Sequence, residues 1–217
     1  MIEEKERALF HDWSKVRKNF CPDGVIDEQS YLVSKPRLLF LMKEVNGKDG
    51  ESLDLKKFIR EGGRPQTWDN IARWVYGIRN LEREIGWAKL EAINTDEKRA
   101  ELFKSICVMN LKKSSGRIIT DNKQLNEVAK DDTDFLTQQF NLYDPNLIIA
   151  CGSAVRNTFF SFIEKNEPDW KQTTRGIEYC RLKPSMVLIS YSHPEARVQD
   201  CLLYYGLIDT VKEIYKH

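Results

Sequence analysis

The chain has 217 residues, of which 41% are hydrophobic and 11% aromatic, with 31% charged residues to cover the core they can build; this balance excludes a disordered chain. Its 34 basic and 33 acidic residues leave a formal net charge of +1, which excludes coating nucleic acid by bulk electrostatics but leaves room for a local basic patch. The longest apolar runs, 38–42 and 147–151, fall far short of a bilayer span, so no membrane partner is expected.

Along the chain, residues 2–18 place Leu9, Trp13 and Val16 at helical spacing among charges and predict an amphipathic helix, which Cys21-Pro22-Asp23-Gly24 breaks. After Pro36, residues 37–42 form a continuous apolar run of the kind shown by a strand covered on both faces, and 43–47 form a loop. Helices are predicted over 52–60 and 67–79, the second with Ile71, Ala72, Val75 and Ile78 on one side, and 61–65 separate them. A helix over 95–104 leads into a second strand at 105–111 and a loop at 112–117. Helical spacing returns over 122–142, a third strand follows Pro145 at 146–151, and Gly152-Ser153 opens another helix. A small strand at 179–182, the clearest strand at 186–191 and a closing helix at 197–216 complete the pattern.

Apolar strands alternating with helices call for a three-layer α/β fold, a parallel sheet with helices on both faces. Nothing reads as a linker, so residues 1–217 are expected to form a single domain. The acidic amino terminus lacks the basic start and apolar centre of a secretory signal, which places the chain in the cytoplasm. Five scattered cysteines without a C-x-x-C pair read as reduced, buried thiols, and neither a metal nor another cofactor is expected.

In open parallel sheets ligands bind beyond the carboxyl ends of the strands, so the loops beginning at Lys43, Lys112, Gly152 and Ser192 should crowd around one crevice. His193, one of three histidines, follows an apolar strand beside Pro194; its imidazole either donates to oxygen charge developing on a ligand or satisfies a nearby carbonyl. Asn110 ends an otherwise apolar strand, where its amide either reads the edge of a pyrimidine or braces the following turn. Glu44 can position water or stabilise a developing positive sugar, or it is a solvated acid paired with Lys43. Trp68, after Gly62-Gly63-Arg64-Pro65, is either a stacking platform for a base or a core residue. Lys112, Lys113, Arg117 and Arg197 either bind phosphates around the crevice or are surface charges. Gly152-Ser153 lacks the spaced glycines of a dinucleotide fingerprint and the lysine of a nucleotide-triphosphate loop.

Together these loops resemble the uracil-DNA glycosylase superfamily, in particular its branch with a Gly-Glu-Ala-Pro-Gly first motif, then Gly-Arg-Pro, a strand ending in Asn, and a late His-Pro. Here they stand as Lys43-Glu44-Val45-Asn46-Gly47, Gly63-Arg64-Pro65, Val108-Met109-Asn110-Leu111-Lys112-Lys113 and Ser190-Tyr191-Ser192-His193-Pro194. The resemblance implies a short four-stranded parallel sheet flanked by helices. It also implies cleavage of uracil or another altered base from single- or double-stranded DNA after the base is flipped into the crevice. Glu44 would match the first-motif acid, Asn110 the base-reading amide and His193 the donor to the departing base, with Asn46 and Trp68 beside the base.

The chain departs from the pattern at Lys43, where the family has glycine, at Asn46, where it has proline, and at Gln66 and Thr67, where an aromatic is expected. The cysteines that hold an iron-sulfur cluster in that branch are missing, so no cluster is expected. A competing expectation is a binding module on the same fold, which holds a nucleotide, free base or nucleic-acid end without cutting it.

Overall fold

Two hydrophobic faces on each of four short strands set the architecture. A computed structural model describes residues 1–47, 51–116, 122–163 and 168–216. The elements in chain order are α1 (Ile2–Val16), β1 (Gly24–Val25), α2 (Glu28–Val33), β2 (Leu38–Met42), α3 (Leu55–Arg60), α4 (Pro65–Ile78), α5 (Trp87–Glu91), α6 (Asp96–Phe103) and β3 (Ile106–Asn110). They continue with α7 (Asn122–Asp131), α8 (Thr133–Tyr143), β4 (Leu147–Cys151), α9 (Ser153–Ile163), β5 (Lys171–Gln172), β6 (Glu178–Lys183), β7 (Met186–Tyr191) and α10 (Asp200–Lys216).

Every residue of β2, β3 and β4 is buried, and successive side chains point to opposite faces. Leu38, Phe40, Ile106, Val108, Leu147 and Ile149 pack with Trp74 and Val75 of α4 and Leu207 and Val211 of α10. Leu39, Leu41, Cys107, Met109, Ile148 and Ala150 pack with Trp13 of α1, Leu136 and Phe140 of α8 and Phe159 of α9. The result is an α/β structure with helices on both sides of the sheet.

The sheet differs from the short four-stranded parallel one expected. Its order is β1-β3-β2-β4-β7-β6-β5. The central four, β3, β2, β4 and β7, run parallel, while β1, β6 and β5 add antiparallel edges. β1 and β5 are two residues each, too short to show a hydrophobic period in sequence. The run 122–142 is likewise two helices. Asp132 leaves helical geometry (φ −97°, ψ 10°) and is held by Arg17, with Nε at 3.0 Å and a terminal nitrogen at 2.7 Å.

In chain order the parallel strands start at the middle of the sheet with β2, add β3 on one side, then reverse to β4 and β7 on the other. Such a reversal opens a crevice beyond the carboxyl ends of the strands.

Candidate functional site

The site begins with the register of β2 and β3, in which Met42 stands opposite Asn110. Backbone pairing runs on past both strands: Leu111 N–H donates to the Met42 carbonyl at 3.0 Å, Lys112 N–H to Lys43 at 2.8 Å and Gly116 N–H to Val45 at 2.9 Å. The two loops therefore lie side by side, which brings the Lys112 ammonium onto the Glu44 carboxylate. Both side chains of this ion pair are nearly buried, 7% and 5% exposed. A Cβ at Gly116 would fall on the same carboxylate, so a larger residue there would displace Glu44 from this position.

Asn110 is 2% exposed, and its backbone N–H is fixed by the buried Asp23 carboxylate at 2.7 Å. Its side-chain Nδ2 has no hydrogen-bond partner, although buried amides are as a rule paired. Asp23 also accepts from Gln139 at 2.7 Å and takes the Lys113 ammonium at 2.6 Å on each oxygen. Lys113 itself is 0% exposed and lies 5.3 Å from the Trp13 ring centroid. It cannot reach a phosphate, which corrects its expected role: it neutralises the carboxylate that anchors the end of β3.

The opposite wall comes from α4 and the loop after β7. Pro65 starts α4 in its first turn, and Gly63 turns into it with φ +66°, where a Cβ would strike the Trp68 ring at 2.5 Å. Trp68 is 4% exposed and packs edge-on against Phe103 at 5.3 Å. It is thus a core residue with one side on the cavity. Asn70 of α4 donates to the Pro194 carbonyl at 2.9 Å, and Arg64 reaches Glu195 at 2.8 Å, with Thr67 on the same carboxylate. These contacts fix the His193-Pro194 turn.

His193 accepts the Glu195 N–H on Nδ1 at 3.1 Å. In the neutral ring the proton therefore sits on Nε2, which becomes a donor. Burial pushes the imidazole below its ordinary pKa; Glu195 works against this and the charge of Lys43 adds to it. Burial resists ionisation of Glu195, but the bonds from Thr67 and Arg64, together with the Arg64 charge, hold its carboxyl below the usual range.

Glu44, Asn46, Trp68, Asn110 and His193 all line one cavity of about 340 Å³, together with Met42, Lys43, Val45, Leu53, Leu55, Phe58, Arg64, Thr67 and Glu195. That volume falls in the range of small-molecule sites, roughly 300 to 1,000 Å³. A larger space of about 690 Å³ opens beyond β4 and β7, between the β5–β6 hairpin and α10. Among the described residues no buried polar atom without a partner lines it, so the smaller cavity is the stronger candidate.

Of the four expected phosphate ligands, Lys112 is engaged by Glu44, Lys113 is buried and Arg197 is exposed between the His193 loop and α10 without lining the cavity. Arg117 lies outside the described residues. Sequence reading missed Phe58, a half-exposed aromatic on the cavity wall, because it looks like any apolar member of a short helix. It also missed Asp23, Asn70 and Glu195, whose roles depend on partners 87, 124 and 128 residues away.

No protein-family model matches the chain. No curated protein matches it at a significant level.

Proposed function

We propose that the cavity receives a pyrimidine base flipped out of DNA, and that the chain is a uracil-DNA glycosylase-like hydrolase of the bond between uracil, or another altered base, and deoxyribose. The observation carrying this reading is the buried, unpartnered Nδ2 of Asn110 in one cavity with His193. Both groups are donors, and a pyrimidine with exocyclic oxygens supplies an acceptor for the Asn110 amide that lacks one and a second for the His193 ring. Breaking the glycosidic bond leaves negative charge on the base and positive charge on the sugar. His193, neutral with its proton on Nε2, donates to the departing base. The Glu44 carboxylate opposes the charge on the sugar.

A donor aimed at a developing anion is worth about 10²- to 10³-fold in kcat. Free uracil released from uracil-containing single and double strands should therefore be measurable with the intact chain and fall by that order in His193→Ala. Absence of release from both strand forms, or full release by the variant, contradicts the proposal.

One observation favours a second reading on the same cavity. Glu44 is clamped by Lys112 with both side chains nearly buried, which restrains it from taking a proton from water. A module that holds a base or nucleotide without cutting it would saturate with free uracil or mononucleotides, yield no product and weaken in Asn110→Ala.

A further inference from the structure

Three lysines follow the ends of β2 and β3, and two of them are spoken for. Lys112 is paired with Glu44 and Lys113 with Asp23. Lys43 differs. It is half-buried and lines the cavity beside Glu44 and His193. Its Nζ donates to a neutral amide, Asn122 Oδ1, at 3.0 Å, and among the described residues no carboxylate forms an ion pair with it. Lys43 directly precedes Glu44, the carboxylate that the proposed reading sets against the sugar of a flipped nucleotide, and both line the same cavity.

A primary amine at such a place has a defined chemistry. Amines condense with aldehydes to form Schiff bases, and an abasic deoxyribose exposes an aldehyde at C1′ in its ring-opened form. We propose that Lys43 is a nucleophile for abasic sites, giving the chain a strand-cleaving lyase activity; this rests on reading the cavity as one that takes a nucleotide.

In its unprotonated form, after the ammonium has lost a proton to solvent, the Nζ lone pair attacks C1′. The carbonyl oxygen takes up protons and leaves as water, so the C=O bond is replaced by C=N. The protonated imine withdraws electrons from C2′; a C2′ proton passes to water, a double bond forms between C2′ and C3′, and the 3′ phosphate departs with the electron pair of its C3′–O bond. Water then adds to the imine and returns Lys43 and an unsaturated aldehyde. One water is lost and one is consumed, and no oxidant or reductant is needed. The weak hydrogen-bond partner of Lys43 favours the step, because the amine need not first be pulled from a carboxylate.

The test uses preformed abasic DNA, so it does not depend on base release. The full chain is incubated with the abasic strand and sodium borohydride, which reduces an imine to a stable amine, and the adduct is located by peptide mass mapping. The expected result is a covalent complex on Lys43, with a yield about tenfold or more lower in Lys43→Arg, which keeps the charge but removes the amine nucleophile. Equal denaturant unfolding curves for the two proteins establish that the variant is folded; should Lys43→Arg unfold, mapping of the adduct in the natural chain decides alone. No adduct, or an adduct at Met1 or on exposed lysines instead of Lys43, overturns the proposal. Base release from uracil DNA without trapping would defeat the lyase alone, whereas trapping on Lys43 without base release would defeat the glycosylase and leave the lyase standing.

Discussion

One hydrogen bond at the His193 ring decides which of its nitrogens carries the proton. Because Nδ1 of His193 accepts from Glu195, the neutral ring presents Nε2–H, and burial keeps it neutral by lowering its pKa below 6.5. The unfolded chain takes up this proton near 6.5, the folded chain only at lower pH. Between those points the unfolded state binds more protons, so stability is present above the window and is lost as pH falls through it. If the chain releases uracil as proposed, the reaction draws on the neutral ring, and its rate should be flat above 6.5 and decline only below the depressed folded value. A rate profile and denaturant midpoints taken across this range check both, and activity that rises on acidification through 6.5 would contradict them. At this scale Asn110 and His193 were legible in the sequence, since each is a polar side chain at the end of an apolar strand. The partner of Glu44 was not: Lys112 is 68 positions away, and only the β2–β3 register makes them neighbours.

α4 acts less as a helix of the core than as the frame of one wall of the site. Its buried face packs under the sheet, while Asn70 bridges Pro194, Asp200 and, through its oxygen, Arg73 at 2.7 Å. Asn70→Leu would leave the Pro194 carbonyl and the buried Arg73 without that partner. Such a loss costs about 1 to 3 kcal/mol, read as a lower urea midpoint, and under the proposed function the loosened His193 turn should lower kcat for base release more than it raises KM. An unchanged midpoint would show that the bridge is dispensable. The long elements were legible because a helix of 14 residues or a fully apolar five-residue strand carries its own period. The break at Asp132 was not, because Arg17 reaches it from just past the end of α1, 115 residues away.

Taken whole, the molecule places its polar chemistry where the apolar layers end. The parallel arrangement of β3, β2, β4 and β7 gathers the carboxyl ends of these strands on one edge, where Asn110 at the end of β3 and the segments after β2 and β7 line one cavity; the loop after β3 braces it through Lys112 on Glu44, and the turn after β4 opens instead on the larger space. The α/β class follows from strands buried on both faces, and it was readable from composition and alternation. The width of the sheet was not, because β1 is recruited by side chains distant in sequence: Glu6 of α1 accepts the Val25 N–H at 3.0 Å, beside Asp23 that anchors β3. We propose that a pyrimidine sits between the amide of Asn110 and the imidazole of His193, whether or not it is then cut. Nitrogen-15 NMR of the Asn110 side-chain amide and the His193 ring during titration with free uracil tests this directly. Both donor protons should shift together and saturate, and the shift at His193 should weaken in Asn110→Ala; saturating uracil that leaves the two signals unmoved would contradict it.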